Sequence, residues 1–264
     1  MAVKLKVANI RKDFLIPVLS DVSFDIETGE FACILGPNGC GKTTLLRIMG
    51  GLEEATGGQV LIDGREVKHL QIHEHRIGFV FQEDRLLPWR TLEENVSIVL
   101  KPLGIPERER KKIAREYLSF VGLKGFEDYF PNKVSGGMKQ RAAIARALSI
   151  EPEILLMDEP FGALDAQNRL IMQTEVRRIW RETKKTIVFV THSIEEATLI
   201  GNKLIMMSSR PSVVKEVIYN DATSDKNRIM TRLRELITEE VFKQQAADYG
   251  ARLDAEHYKI NVEV

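Results

Sequence analysis

Residues 36–43 read Gly-Pro-Asn-Gly-Cys-Gly-Lys-Thr, a run that fits the phosphate-loop pattern G-x-x-x-x-G-K-[ST] at every fixed position. It follows the apolar segment FACIL (31–35) and precedes a helical pattern that begins near Lys42. Glycines let the backbone curl until several N–H groups point at one anion, and a helix N-terminus adds partial positive charge. The sequence therefore predicts a strand, a loop that binds nucleotide phosphate, and a helix.

The residue types in this loop suit a nucleotide with its metal. Lys42 can reach the β- and γ-phosphates, and the Thr43 hydroxyl can ligate Mg²⁺, which shares phosphate oxygens. The predicted nucleotide contacts are Gly36, Pro37, Asn38, Gly39, Cys40, Gly41, Lys42, Thr43 and Thr44. Cys40 lies among backbone amides near a helix N-terminus, where a thiol pKa is lowered, so we expect a reactive thiol. An inert small side chain is the alternative.

A second apolar strand pattern, ILLM at 154–157, ends in Asp158 and Glu159. Acids at the end of a buried parallel strand lie at the sheet edge where α/β folds bind ligands. Asp158 is placed to hold Mg²⁺, and Glu159 is placed to polarise the attacking water. A strand that simply ends in solvated acids is the alternative, and the nearby phosphate loop argues against it.

The pattern along the chain predicts an α/β fold with a P-loop NTPase core. Further buried-strand patterns are IGFVF (77–81), IVFVT (187–191) and LIMM (204–207), and helical stretches separate the later ones, which predicts a mostly parallel sheet. The first 35 residues read as short strands; FACIL has the pattern of a buried parallel strand, and an N-terminal antiparallel part is predicted besides the parallel sheet. The predicted divisions are a core at 1–82 and 151–221, an inserted helical subdomain at 83–150, and a helical tail at 222–264.

Composition limits the classes of function. The 38 basic and 38 acidic residues balance, which gives no reason to expect a nucleic-acid partner. Two cysteines are too few for a disulfide framework and suit a reducing cytoplasm. We find no signal-peptide pattern and no run near the roughly 18 apolar residues that span a bilayer. Work at a membrane would then need a partner.

Several segments together resemble the ABC-type ATPases. Residues 134–141, Val-Ser-Gly-Gly-Met-Lys-Gln-Arg, resemble the signature motif of that family. Gln82 resembles its Q-loop glutamine, Gly-Ala-Leu-Asp at 162–165 resembles its D-loop, and His192 follows a strand pattern as the family's switch histidine does. Phe14 falls where an aromatic often stacks on adenine. These motifs follow the family's order over residues 14 to 192.

Four positions depart from the commonest family pattern. Val134 stands where Leu is usual, Met138 where Gln is usual, and Cys40 where Ser is common. Phe14 replaces a frequent Tyr and keeps the stacking face. The changes are mild, because the signature contacts come from the serine and the glycine amides.

The resemblance implies a head-to-tail homodimer that traps two ATP molecules. Each ATP lies between the phosphate loop of one subunit and Ser135-Gly136-Gly137 of the other, with His192 at the γ-phosphate. The implied catalytic residues are Lys42, Gln82, Glu159 and His192. The implied nucleotide contacts outside the phosphate loop are Phe14, Gln82, Ser135, Gly136, Gly137 and Asp158. The implied Mg²⁺ ligands are Thr43, Gln82 and Asp158.

Three kinds of ABC protein compete: an importer subunit, a soluble repair or ribosome-linked ATPase, and a binding protein without turnover. Repair members carry a long coiled coil between the phosphate loop and the signature, and Lys42 and Ser135 lie too close for one. Ribosome-linked members usually carry two cassettes, and exporters usually fuse the cassette to membrane helices. Glu159 and His192 argue for turnover. The favoured function is an importer ATPase; a soluble non-transport ABC ATPase is the alternative.

Residues 81–91, Phe-Gln-Glu-Asp-Arg-Leu-Leu-Pro-Trp-Arg-Thr, resemble the Q-loop region of nitrate, sulfonate and taurine importers. The segments 161–165 and Ser209-Arg210-Pro211 also suit that group. The resemblance implies a peripheral subunit on the cytoplasmic face of a bacterial inner membrane. Its partners would be two membrane-spanning permease subunits and, indirectly, a periplasmic or lipoprotein solute-binding protein. The solute would be a small anion such as nitrate, an alkanesulfonate or taurine.

Four further segments lie outside the family's motifs. Leu86, Leu87 and Trp89 form an apolar loop that either covers the helical subdomain or receives a short helix from the membrane partner. The histidines at 69, 73 and 75 are a weak metal pattern, and RERKK at 108–112 is best interpreted as a solvated helix start. Apolar residues recur at helical spacing in the tail, which predicts packing on the core or a regulatory or dimer contact; they are Ile229, Leu233, Leu236, Ile237 and Phe242.

Overall fold

The computed structural model describes residues 2–67, 77–162 and 164–260, with backbone alone for 246–260. Its strands are β1 (Val3–Asp13), β2 (Pro17–Glu27), β3 (Phe31–Leu35), β4 (Gly57–Ile62), β5 (Arg65–Glu66), β6 (Ile77–Val80), β7 (Ile154–Asp158), β8 (Thr186–Val190), β9 (Lys203–Met207) and β10 (Val214–Tyr219). Its α-helices are α1 (Lys42–Met49), α2 (Leu92–Ser97), α3 (Glu107–Phe120), α4 (Gly136–Ser149), α5 (Ala166–Thr183), α6 (Ile194–Ile200) and α7 (Lys226–Ile260). Short 3₁₀ helices lie at Ile98–Leu103 and Pro131–Lys133.

The central sheet has the strand order β10-β9-β3-β8-β7-β6. All of its pairings are parallel except that of β10, which adds an antiparallel edge. Every residue of β3, β7, β8 and β9 is buried, as strands covered on both faces require. Along β3, Phe31, Cys33 and Leu35 join one apolar cluster, whereas Ala32 and Ile34 join another on the opposite face. The predicted parallel α/β sheet is confirmed.

The N-terminal strands form a separate antiparallel sheet in the order β2-β1-β4-β5. Its inward residues, including Leu5, Val7 and Ile10, share one cluster with Leu45 and Met49 of α1. The same cluster contains one face of the central sheet, so α1 is packed between the two sheets. The helix that follows the phosphate loop is therefore fixed by apolar contacts.

Only helices and loops lie between β6 and β7, as predicted for residues 83–150. The start of α2 is fixed by a capping box, in which the Thr91 hydroxyl accepts from Glu94 N (3.2 Å) and Thr91 N donates to Glu94 Oε2 (2.9 Å). Leu92, Val96 and Leu148 lie in the same apolar cluster as the central sheet. The boundaries of a separate subdomain stay a prediction.

The tail forms α7, and its first turns pack on the protein's own core. Ile229, Leu233 and Leu236 are buried in the cluster on one face of the central sheet, and Ile237 packs against it. Phe242 is exposed. The periodic residues therefore divide into a packed group and one exposed aromatic.

The expectation of a reactive Cys40 is wrong. The side chain is only 1% exposed and packs among apolar residues beneath the loop. Burial raises the pKa of the Cys40 thiol, and the opposing effect of the Lys42 charge is smaller. Burial likewise raises the pKa of Cys33, which is fully enclosed. The inert alternative holds, because burial outweighs the nearby Lys42 charge and the backbone N–H groups that would stabilise a thiolate.

We therefore expect both thiols to resist labelling in the folded chain at pH 7 to 8. A colorimetric thiol reagent should register far less than one equivalent before unfolding and two equivalents in denaturant, since the sequence contains two cysteines. Rapid labelling of one thiol, absent from Cys40→Ser, would contradict this packing.

Gly78 of β6 is tightly enclosed by α4, by β7 and by the segment between them. A Cβ there would stand 2.8 Å from Ala147 O, 2.9 Å from Leu155 Cδ1 and 3.0 Å from Pro152 Cγ. The first contact is with backbone, which cannot move without shifting α4. By contrast, a Cβ on Gly57 in β4 would meet Arg11 only at 3.7 Å, an ordinary contact.

We expect Gly78→Ala to lower the free energy of unfolding by about 1–3 kcal/mol through overpacking. The matched strand variant Gly57→Ala should change it by less than about 0.5 kcal/mol. Urea unfolding followed by circular dichroism measures both. Equal effects of the two substitutions would show that the space around Gly78 is not limiting.

Candidate active site

Four predicted site segments lie at one edge of the central sheet. The loop 36–44 follows β3, Gln82 follows β6, Asp158 and Glu159 end β7, and His192 follows β8. These strands run in parallel, so their carboxyl ends meet at the same edge, where α/β sheets bind ligands. The fold thus brings together residues that are far apart in the sequence.

The loop curls around its own lysine. Gly41 is the N-cap of α1 with φ 106°, and a Cβ there would stand 2.8 Å from Val18 Cγ1 and 2.9 Å from Leu19 Cδ2. Only glycine can adopt this φ without strain and leave room for these two side chains. The buried Lys42 Nζ donates to the carbonyl oxygens of Gly36 and Pro37, each at 3.0 Å. No side chain caps α1, so its first N–H groups are open to an anion.

Thr43, in the first turn of α1, and Asp158, the last residue of β7, are in direct contact. The Thr43 hydroxyl donates to Asp158 Oδ1 at 2.9 Å. Burial raises the pKa of Asp158, partly offset by that hydrogen bond, and the charge of Glu159 raises it further. A bound cation would act in the opposite direction. The hydroxyl and carboxylate oxygens fit Mg²⁺, which uses one or two protein ligands together with substrate phosphates.

Glu159 and His192 form a pair beside this contact. His192 Nδ1 lies 3.0 Å from Glu159 Oε2, and the imidazole is more than half exposed. Glu159 has φ 41°, in the left-handed region that non-glycine residues seldom adopt, and its N–H donates to Val190 O at 3.1 Å. Local strain of this kind is typical of functional sites, because only the surrounding structure maintains it.

A cavity of about 300 Å³ lies over the loop. It combines aromatic, apolar, basic and acidic side chains with glycine backbone, a lining that can accept both a base and phosphates. The exposed Phe14 ring, with Lys12 Nζ 4.7 Å from its centroid, forms part of the wall. The lining residues are Phe14, Val18, Asn38, Gly39, Gly41, Lys42, Thr43, Thr44, Glu159 and Arg210.

The signature segment lies elsewhere in this chain. Ser135 is the N-cap of α4, and its hydroxyl accepts from Met138 N at 3.3 Å. Gly136 and Gly137 face the start of α5, at 3.8 Å from Leu164 and 3.6 Å from Asn168 as measured from built Cβ positions. None of the three lines the cavity. Ser135 and Gly136 are instead exposed to solvent.

Gln82 is exposed and lies next to the segment after Glu159. Its Nε2 is 3.8 Å from a Cβ built on Gly162. Sequence reasoning missed two lining residues, Val18 of β2 and Arg210, and Arg210 comes from the loop between β9 and β10. Its only sequence signal was the Ser209-Arg210-Pro211 segment, which carries no phosphate-binding pattern.

The remaining sequence patterns do not contribute to this site. The histidines at 69, 73 and 75 lie outside the described residues. The charge run at 108–112 is on α3, where Lys111 pairs with Glu107 (3.0 Å) and Lys112 approaches Glu116 (3.9 Å) along the exposed face. Within the described ranges, we find no helix with the length and apolarity needed to cross a membrane.

Comparison with known proteins assigns the family. The family described as ABC transporter matches residues 19–162. An ABC transporter ATP-binding protein of Methanocaldococcus jannaschii is 47% identical over 233 residues, with 86% of each chain covered. The aliphatic sulfonates import ATP-binding protein SsuB of Bacillus licheniformis is 44% identical over 215 residues, covering 81% of this chain and 82% of its own.

Solved structures agree with these relatives. A dimeric post-hydrolysis state of the ATP-binding cassette MJ0796, bound to ADP and Pi, superposes with a TM-score of 0.73 at 35% identity, covering 83% of this chain and 99% of that one. The cbiO1 protein of Clostridium perfringens, part of the ABC transporter complex cbiONQ, gives a TM-score of 0.76 at 25% identity, covering 92% and 94%. The chain belongs to the ABC transporter family and is an ATP-binding, ATP-hydrolysing subunit.

Proposed function

We propose that ATP occupies the cavity over the loop 36–44, with its phosphates in the loop and its adenine on Phe14. The contact between Thr43 and Asp158, next to the enclosed Lys42, is the observation that carries this proposal. Those two oxygens would hold Mg²⁺ together with Gln82 and the phosphates. On phosphate binding, Lys42 would exchange the loop carbonyls for phosphate oxygens, which are stronger acceptors because they are charged.

Hydrolysis in this arrangement depends on Glu159. Its carboxylate lies at the cavity wall, where it would accept a proton from the attacking water. His192 is in contact with that carboxylate, so it would orient the carboxylate and also face the γ-phosphate. Little covalent work falls to the protein, because phosphoryl transfer is promoted mainly by positioning and by stabilising charge.

The position of the signature supports a head-to-tail pair of chains. Ser135 and Gly136 are exposed at the N-terminus of a fourteen-residue helix and do not line the cavity of their own chain. In a twofold pair they would cover the phosphates held by the other chain. The similar cassette bound to ADP and Pi is dimeric, which supports the pairing of two chains.

The transport function proposed is uptake of a small anion, with an alkanesulfonate favoured over nitrate and over taurine, which is an amino-substituted sulfonate. The similarity to SsuB proteins, together with the residues at 81–91, supports it. The chain would act on the cytoplasmic face of a bacterial inner membrane with two permease subunits and a solute-binding protein. Uptake of labelled ethanesulfonate, nitrate and taurine by the reconstituted complex tests the solute; ATP-dependent uptake of none of them would reject this class.

The loop after Gln82 supports contact with a permease. Leu86 is buried and covers the helical part, whereas Trp89 is 69% exposed. Asn95 holds the loop rigid: its Nδ2 lies within 3.1 Å of the Leu87 and Arg90 carbonyls, and its Oδ1 accepts from Leu87 N. A rigid, exposed tryptophan is an effective interface anchor, because little entropy is lost when it is covered.

Glu159→Gln should bind ATP with near-normal affinity and hydrolyse it at least about a hundredfold more slowly, since a general base is lost. ATP-bound dimers should then accumulate, as seen by size-exclusion chromatography with light scattering. Glu109→Gln, an exposed acid on α3, is the matched control and should retain full activity. Full ATPase activity in Glu159→Gln would remove Glu159 from the mechanism.

Trp89→Ala should leave the isolated chain folded and able to bind ATP, because the indole is exposed. Loss of a central anchor typically costs about 2 kcal/mol or more of binding, so assembly with permease subunits and transport should both fall. Phe242→Ala, which removes an exposed aromatic from α7, should have neither effect. Normal assembly and transport by Trp89→Ala would reject the coupling contact, and unfolding would reveal a packing role instead.

A further inference from the structure

Arg210 lies against the phosphate loop. Its Nη2 is 3.3 Å, and its Cζ 4.0 Å, from a Cβ built on Gly39, so the guanidinium rests directly beside that glycine. The residue also lines the cavity together with Lys42 and Thr43. A side chain at position 39 would push the arginine aside, which is a second demand on this glycine besides its φ of 74°.

The guanidinium is exposed, and no carboxylate among the described residues pairs with it. The described residues likewise give its N–H groups no hydrogen-bond acceptor. The planar donor fork of arginine matches phosphate geometry, and here it faces the one cavity wall that is built from anion-binding backbone. The loop 36–44 supplies a single other cation, Lys42, for the several charges of a nucleotide.

Two anchors fix the loop that carries Arg210. On one side, the fully buried Ser212 joins it to the N-terminal sheet and the phosphate loop. Ser212 N donates to Val18 O (2.9 Å), its carbonyl accepts from Ser20 N (2.9 Å), and its hydroxyl contacts Cys40 O. Ser212, two residues after Arg210, is therefore bound to the same loop that the guanidinium faces.

On the other side, Glu240 of α7 holds the residue before Arg210. Its Oε2 accepts from Ser209 N (2.9 Å) and is 3.0 Å from Ser209 Oγ, and Lys215 Nζ lies 3.1 Å from Oε1. The side chain is almost fully buried. Burial alone would raise the pKa of Glu240, but the bonds from Ser209 and from Lys215 and Lys243 lower it to about 2. The carboxylate is therefore ionised throughout the neutral range.

We propose that the Arg210 guanidinium binds a phosphate oxygen of ATP or ADP, and that Glu240 is the positioning residue that holds it over the loop. This inference rests on the proposed seat of the nucleotide in the cavity. It adds a cation from the β9–β10 loop to the site and connects the C-terminal helix to nucleotide affinity. Glu240 itself touches no nucleotide and acts through Ser209.

Binding of ATP and ADP to the dilute, isolated full chain tests the arginine by titration calorimetry. Arg210→Gln should weaken both affinities about tenfold, because a charge-assisted hydrogen bond is lost. Arg210→Lys should weaken them less, since it keeps the charge and loses only the fork. Arg108→Gln on α3, with the same change of charge on an exposed site, should bind like wild type.

Each other outcome has one meaning. Failure of the wild-type chain to bind either nucleotide would reject the proposed ATP site in the cavity as a whole, and with it the role of Arg210. Wild-type affinity in Arg210→Gln would overturn the phosphate contact. Arg210→Gln could instead leave the affinity of the dilute chain unchanged and weaken ATP-dependent dimerisation. That result would show that Arg210 contacts the second copy of the chain, and it would also overturn the phosphate contact.

A double-mutant cycle tests Glu240. Glu240→Ala should weaken ATP binding several-fold in the wild-type background and have no further effect in Arg210→Gln, because it acts only by placing the arginine. Glu240→Gln keeps an acceptor for Ser209 N, so it should bind ATP more tightly than Glu240→Ala does. The same cycle can be run with Glu240→Gln if Glu240→Ala does not fold. Equal losses in both backgrounds would show that Glu240 has a general structural role and would overturn its positioning role.

Discussion

Parallel pairing of β3, β7 and β8 is the constraint on which the site depends. The register of β7 on β8 places Asp158 beside Val190 and Met157 beside Phe189. Strand β3 pairs with the opposite edge of β8. Because the three strands end together, Thr43 of the phosphate loop lies within hydrogen-bond distance of Asp158, and His192 lies within hydrogen-bond distance of Glu159. Every residue of these strands is buried, so a shift of register would expose the core as well as separate the site.

The site is held in place by packing more than by polar contacts among its own residues. Helix α1 is fixed between two sheets by Leu45, Leu46 and Met49, and this fixes the direction of its open N-terminus. The buried Cys40 acts as an apolar floor for the loop. Glu196, which contacts Thr191 and accepts from Gln173 Nε2 at 3.0 Å, holds the segment before His192 from beneath. The exposed groups therefore project from a rigid base.

Within one chain, the cavity over the phosphate loop and the exposed signature segment lie apart. The loop 36–44 and the Glu159–His192 pair lie at one place, and the exposed Ser135 and Gly136 lie at another. The segment that carries Arg210 is in turn anchored to β2, to the phosphate loop and to α7. In this arrangement, the C-terminal helix and the cavity over the loop 36–44 are connected through one short, hydrogen-bonded loop.

The sequence by itself determined the strand–loop–helix at 31–49, the acids that end β7, and the helical stretch between β6 and β7, because glycine pattern and hydrophobic periodicity are local properties. It failed for Cys40, since a neighbouring helix N-terminus is visible in the sequence and the apolar cluster around the sulfur is not. It could not separate the buried Leu86 from the exposed Trp89 within one apolar loop. Arg210 lies beside the phosphate loop because β9, which precedes it, pairs with β3, which precedes that loop. Burial and long-range proximity depend on how distant segments pack, and only the tertiary structure decides them.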